Sequence, residues 1–505
     1  MNSRVRSSDH DERGKFAAPG ERQSRSISTL PVLTSRRQVL KMGAGVLASG
    51  VALSSNLSAR PQSPHPKKVI VAGGGIAGLS CAYELMSRGH NVTLLEAAGR
   101  PGGHVRTSHD LFPDGLYADV GAEHCYQPIY KVYWRYLDEF KLPIVPYPRR
   151  DNLLRFLDGK TYTPQELQTQ RILEGFDFNS RELKFLRENP WWSLPLLYFQ
   201  PYLDRFQDEN QPFGVGLDDL DRVTVSDLLK KDGASHAAVR FAGGDGSALE
   251  ALWTAAIKKL RGAPLVSHSL YRIKGGNQLM TDAFAARLGE RIRLGAPVTG
   301  IRHGDSGVTV SYTEFGEGRT MEADYLVCCM SAVMLRQLPV TPAWPAAKAF
   351  ALNNMPYYSV ARVILQSRTP FWEKDGVSPN MEFGASGLRD CWRTAEEVHT
   401  SRAVLIGTAL ASSSAQDALA AFRRLYPGKF ENIEQVHFLN WADDPWAMAC
   451  ERVPYAPGDL AKFWPHTTTP CGRIFFAGAY AANISMGQEA ALESANRAAE
   501  MIDRA

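Results

Sequence analysis

The stretch from Val69 to Glu96 constrains the fold more than any other part of the chain. Val69-Ile70-Val71-Ala72 is a short apolar strand. Gly73-Gly74-Gly75-Ile76-Ala77-Gly78 follows, with glycines at 73, 75 and 78. From Leu79 to Ser87 apolar residues recur at helical spacing, and Asn91-Val92-Thr93-Leu94-Leu95 is a second strand that ends at Glu96. This predicts a strand, turn, helix and strand in succession. In such a unit Gly73 permits the tight turn, Gly75 lets the backbone approach a pyrophosphate, and Gly78 lets helix and strand pack closely. Ile76 and Ala77 open the helix, whose free N–H groups hold the phosphates. Glu96 is placed to accept hydrogen bonds from a ribose, with Ala97 beside it. A purely structural glycine turn is the alternative, but it would not require the flanking strands and the terminal acid.

The rest of the composition narrows the class. A chain of 505 residues suggests about three domain-sized units. Apolar residues make up 44% and charged residues 22%, as in ordinary soluble proteins. That excludes a disordered, collagen-like or membrane-spanning chain. The net charge of +4 is unevenly placed: residues 1–68 carry 12 Lys/Arg against 4 Asp/Glu, so the remainder is weakly acidic. A basic leader on an acidic body argues against nucleic-acid binding. The 7 cysteines include no C-x-x-C pair, which argues against a zinc site or a redox dithiol, and no metal is expected.

Residues 1–35 are polar and rich in Ser and Arg, the composition of a disordered leader. Arg36-Arg37 is followed by an apolar run, Met42 to Leu53, too short to span a bilayer. Leu57-Ser58-Ala59 offers a small-residue cleavage site. Residues 36–59 resemble a twin-arginine export signal. The resemblance implies the twin-arginine export machinery as a partner, a periplasmic destination and no stable transmembrane span. Because that route carries folded proteins, it also implies a cofactor loaded before export.

Past Glu96 runs Ala97-Ala98-Gly99-Arg100-Pro101-Gly102-Gly103-His104-Val105-Arg106-Thr107. Here the chain resembles the FAD-dependent amine oxidase superfamily, whose second signature has an Arg, a Gly-Gly pair and a Thr at this spacing. Arg100, Gly102, Gly103 and Thr107 match; His104 stands where amine oxidases usually carry Arg. Gly121-Ala122-Glu123 looks like the segment beside the flavin. Val298 falls where relatives contact the adenine through the backbone. Gly478 and Ala479 follow the family's last strand, and Gly487, Gln488 and Ala491 open the helix that relatives direct at the flavin's pyrimidine carbonyl. There partial positive charge suits the electron-rich reduced ring.

The resemblance implies an α/β fold, a Rossmann-like FAD-binding domain interleaved with an α+β substrate-binding domain. The expected layout is FAD-binding segments 67–125, 266–330 and 441–505, with substrate segments 126–265 and 331–440. Glu322 to Cys329 reads as one strand. The run from Trp191-Trp192 to Phe206 either lines an apolar tunnel or packs a helical core, the latter being the more ordinary outcome.

The sequence departs from the family where the specific chemistry sits. Counting back from Phe371, Arg362 takes the place of the lysine that holds a water at flavin N5. Trp441 opens the family's Trp-and-Asp-Pro segment. Cys450 falls where monoamine oxidases bond FAD covalently, although most relatives bind it without a bond. Glu451 and Gly487 replace the two tyrosines of the aromatic cage, unless Tyr455, Tyr480 or Trp446 substitutes. Arg362 and Glu451 are the candidate catalytic residues, FAD the cofactor and a small molecule the substrate. A homodimer is left open. The implied activity is oxidation of an amine or amino acid by hydride transfer to the flavin. The alternatives are a desaturase or isomerase of an apolar isoprenoid, and a flavoprotein subunit without turnover.

Overall fold

A computed structural model describes residues 63–265, 269–384, 387–449, 451–483 and 487–505, with Glu451 described by its backbone alone. The export signal at 36–59 and Cys450 lie outside the described residues. Strand β1 (Lys68–Ala72), helix α1 (Ile76–Ser87) and strand β2 (Asn91–Leu95) reproduce the unit read from the sequence. β1 lies at the centre of a five-stranded parallel sheet, flanked by β2 and Tyr325–Cys328, with Ile292–Arg293 and Ile474–Phe476 at the edges. Val69 to Ala72 are wholly buried, which is why β1 reads as a continuous apolar run rather than an alternating one.

Helix α1 packs against the sheet and against the C-terminal helix Gly487–Arg504. Both helices bury small residues, Ala77, Cys81 and Ala82 on α1 and Ala491, Ala495 and Ala498 on the C-terminal helix. Small side chains let two helix axes approach closely. Gly78 serves the same end: a Cβ there would lie 1.8 Å from the Gly73 carbonyl oxygen.

One expectation needs correction. Glu322 to Cys329 is not one strand. The antiparallel strand Glu317–Ala323 ends before Asp324, and Tyr325–Cys328 joins β1 in the parallel sheet. Asp324 makes the joint: its carboxylate accepts the Lys68 N–H at 2.7 Å and its own N–H donates to the Lys68 carbonyl at 2.9 Å. A continuous apolar-polar pattern hides such a joint, because both halves have β character.

A second sheet has seven strands in the order Ile433–Asn440, Val360–Ser367, Ala403–Leu410, Asp390–Thr394, Met381–Glu382, Leu154–Leu157 and Lys160–Tyr162. Val360–Ser367 is paired on both sides, so its N-terminal residues are held rigidly. Between residues 166 and 260 the chain is helical. Of the Trp191–Phe206 run, Trp191, Tyr198, Phe199, Leu203 and Phe206 are core residues, while Trp192 lines the cavity described below. Among the described residues no helix is long and apolar enough to cross a membrane.

Candidate functional site

The carboxyl ends of four parallel strands open into one cavity of about 1150 Å³. Gly73 follows β1, Glu96 follows β2, Cys329 follows Tyr325–Cys328 and Gly478 follows Ile474–Phe476, and all four residues line it. This is where open α/β sheets place their ligands, because the strand ends and helix N-termini converge there. Gly75 caps α1 with ordinary backbone angles and no side-chain cap. The first N–H groups of the helix are therefore left for a ligand. A Cβ on Gly75 would meet nothing within 4 Å. That open space beside bare N–H groups fits a pyrophosphate.

Glu96 is buried, and its two oxygens accept the N–H groups of Gly74 and Ala98. Burial raises its pKa above the usual carboxylate value, against those two hydrogen bonds. Arg100 donates to the carbonyls of Pro101 at 3.2 Å and Gly103 at 2.7 Å, which fixes the Gly102-Gly103 turn. His104, which replaces the family Arg, donates from Nε2 to the Ala447 carbonyl at 2.8 Å and packs on Trp441 with ring centroids 4.6 Å apart. Burial holds its pKa below the ordinary histidine value, so the ring is neutral at pH 7. Trp441 in turn donates to the Val120 carbonyl at 2.8 Å.

The far part of the cavity is built around Glu123. Its carboxylate accepts from the Tyr147 hydroxyl at 3.0 Å, Trp392 Nε1 at 3.0 Å, Arg149 at 3.1 Å and Arg362 at 3.1 Å. Burial alone would raise Glu123, but Arg362, Arg149 and the hydrogen bonds outweigh it and hold the group below the usual carboxylate range. Arg362 also donates to the Gly121 carbonyl at 2.7 Å. Beside it, burial pushes His124 down to about 3, with Arg149 adding to the effect, so that ring is neutral as well.

The cavity gathers nearly every residue named in advance. Gly73, Gly75, Ile76, Ala77, Glu96, Ala97, Arg100, Gly102, Gly103 and His104 line it. So do Gly121, Ala122, Glu123, Val298, Arg362, Trp441, Gly478, Ala479, Gly487, Gln488 and Ala491. Gly78 is not among the lining residues; its place is the close contact with Gly73. Glu451 pairs across from Tyr358 on a two-stranded ribbon, and its side chain, like Cys450, lies outside what is described. Of the three substitutes for the aromatic cage, Tyr480 and Trp446 line the cavity. Tyr455 instead stacks on Phe463 in the core, with centroids 4.4 Å apart.

Several lining residues had no signal in the sequence: the adjacent Arg149 and Arg150, Lys258, Tyr357 and Arg389 lie on segments far apart in the chain that reach one cavity only in the folded protein. Trp192, from the Trp191–Phe206 run, lines the cavity as well.

Four buried polar atoms of the lining have no partner among the described residues: His124 Nδ1, Arg362 Nε, Tyr480 Oη and Gln488 Oε1. Orphaned polar atoms in a buried wall are costly unless a ligand or water satisfies them. With the open glycine cradle and the ribose acid, they fit a large polar cofactor.

Fold and cavity together define an oxidoreductase built on a dinucleotide cofactor. The sequence profile of the flavin-containing amine oxidoreductases matches residues 76–503, and the chain belongs to that family. Its cofactor is FAD. An L-amino-acid oxidase of Demansia vestigiata is 26% identical over 469 residues, covering 88% of each chain. An L-amino-acid oxidase of Vipera ammodytes ammodytes is also 26% identical, covering 88% of this chain and 94% of its own. Among solved structures, cyclohexylamine oxidase from Brevibacterium oxydans IH-35A superposes with a TM-score of 0.72 at 21% identity, covering 87% of this chain and 99% of its own. Putrescine oxidase bound to putrescine superposes with a TM-score of 0.71 at 20% identity, covering 87% of this chain and 100% of its own. The chain is thus a flavin-containing amine oxidoreductase with the α/β amine oxidase fold.

Proposed function

We propose that the protein is an exported enzyme that oxidises an amine or amino acid by hydride transfer to FAD. The observation that supports this best is the single cavity that joins the glycine cradle to the Glu123–Arg362 pair. Bound FAD supplies the two-electron acceptor. Gly73, Gly75, Ile76 and Ala77 would hold its pyrophosphate and Glu96 its ribose. The substrate's C–H bond breaks with its electron pair going to the cofactor, and the amine loses a proton. The imine so formed is hydrolysed to a carbonyl compound and ammonia.

In this reading Arg362 holds a water beside the reacting centre through Nε, its one guanidinium nitrogen without a partner among the described residues. Burial favours the neutral form of Arg362, but Glu123 outweighs it and the group stays cationic. Segments 126–265 and 331–440 form the substrate part. The twin-arginine signal at 36–59 carries the folded holoenzyme out of the cytoplasm.

Anaerobic mixing of the purified protein with a panel of amines and amino acids tests the reaction. At least one member is expected to bleach the flavin absorbance, with a carbonyl product and ammonia formed one for one. Bleaching by polyenes or other apolar isoprenoids alone would assign the desaturase reading instead. A flavin that no panel member reduces would leave a subunit without turnover. Replacing Arg36 and Arg37 by Lys is expected to retain the precursor in the cytoplasmic fraction.

A further inference from the structure

The charges around the substrate part of the cavity do not balance. Six cationic side chains line it: Arg149, Arg150, Lys258, Arg362, Arg389 and Arg452. Three of them are answered by carboxylates. Arg149 and Arg362 share Glu123, with Asp390 also 3.9 Å from Arg149, and Arg452 pairs with Glu250 at 2.6 Å.

The other three have no carboxylate within 4 Å among the described residues. Arg150 is exposed, its guanidinium 5.2 Å from the ring centroid of Trp192, which itself lines the cavity. Lys258 is half-buried on the helix Ala248–Leu260. Its pKa is lowered by burial first and by the positive charge of Arg150 second, so the two cations are close enough to repel. Arg389 is exposed and lines the cavity next in sequence to Asp390. His104 and His124, which also line the cavity, are neutral and add no further positive charge.

Lys258 carries the cost in the empty site, because burial and the neighbouring charge of Arg150 both disfavour its cationic form. An anionic ligand removes both penalties. None of the three stands on the five-stranded sheet or its glycine turn, where the phosphates of the cofactor belong. We propose that Arg150, Lys258 and Arg389 form a specificity subsite for an amino acid carrying a second carboxylate. The proposal rests on the amine-oxidising reading of the same cavity and names its substrate class. One α-carboxylate would leave two of the three cations unanswered, a second carboxylate answers one more, and a cationic diamine would be repelled.

The test compares L-glutamate and L-aspartate with L-leucine and putrescine in anaerobic flavin reduction by the holoenzyme. Dicarboxylic amino acids are expected to give the highest kcat/KM, and putrescine the lowest. In Lys258→Ala and Arg389→Ala the ratio of dicarboxylic to neutral kcat/KM is expected to fall roughly tenfold or more, the size of a lost charge-assisted contact, with the change in KM rather than kcat. Lys258→Arg should restore the ratio. Arg389 is exposed, so its variant keeps the test open should Lys258→Ala fold poorly. Glutarate binding to the oxidised holoenzyme, followed by perturbation of the flavin spectrum, gives a second readout that needs no turnover. Neutral amino acids reacting as well as dicarboxylic ones would overturn the subsite and leave the amine-oxidase reading intact. Loss of flavin from Lys258→Ala would also overturn it, by assigning the cations to the cofactor. No bleaching by any panel member would sink the amine-oxidase reading; glutarate binding lost in Lys258→Ala would then still support the anionic subsite.

Discussion

Gly75→Val is expected to give a folded, colourless protein. Gly75 has φ −68° and ψ 179°, a conformation open to any residue, and a Cβ there meets nothing within 4 Å. The added side chain costs the apoprotein little. It fills the space in front of the α1 N–H groups that the pyrophosphate needs, so FAD affinity should fall at least about 100-fold, or ~3 kcal/mol. Gly78→Ala is the contrasting variant. Its methyl would lie 1.8 Å from the Gly73 carbonyl oxygen, and α1 would have to shift away from β1. It should lower the unfolding free energy by about 3 kcal/mol, the upper end for an overpacked core position. Urea unfolding of the apoproteins and flavin content of the purified holoproteins separate the two effects. A yellow Gly75→Val protein with normal FAD content would contradict the assignment of the cradle.

Arg362→Met is expected to cost both stability and turnover. Removing one partner from a buried ion pair leaves the other charge uncompensated, typically a loss of roughly 3 kcal/mol or more. Arg149 still faces Glu123, so the loss should stay near that lower figure. The double variant Glu123→Gln/Arg362→Met should recover part of it, because no lone charge is then left behind. The pH dependence has a definite sign. Glu123 titrates below its ordinary value in the folded chain. Its contribution is therefore complete above the unfolded carboxylate pKa, about 4.3, and is lost as pH falls through the lower folded value. The stability gap between wild type and Arg362→Met should be full at pH 7 and narrow below about pH 4. A constant gap across that range would mean that Arg362 acts by packing alone. Arg362→Lys keeps the charge but loses the second hydrogen bond, so partial recovery of the flavin-reduction rate is the expected result.

The cofactor half of the site was legible because its requirements are local. A tight turn, a bare helix N-terminus and an acid at the next strand end all fall within Val69–Glu96, and backbone geometry demands particular residue types there. The family segments near Gly103, Gly121, Gly478 and Gln488 added positions far apart in the chain that line the same cavity. The strand boundary at Asp324 escaped because pairing partners, rather than local composition, decide where a strand changes sheets.

The substrate half was less legible for a related reason. Its chemistry depends on which charges answer which, and charge balance is a property of the folded set. Glu123 reads in the sequence as a flavin-side acid; the structure shows its carboxylate taken up by two arginines, a tyrosine and a tryptophan. Lys258 reads as one of many helix-face lysines until Trp192, Arg150 and the cavity wall are brought beside it. By itself the sequence determined the strand–turn–helix–strand unit and its glycine cradle, because short-range sterics and helix-end hydrogen bonding require those residues at those spacings, and the family resemblance of the flanking segments named the flavin. Only the tertiary structure decided which ionised side chains are paired and which are left facing the cavity, because electrostatic compensation acts through space between segments more than 100 residues apart, as between Arg362 and Glu123.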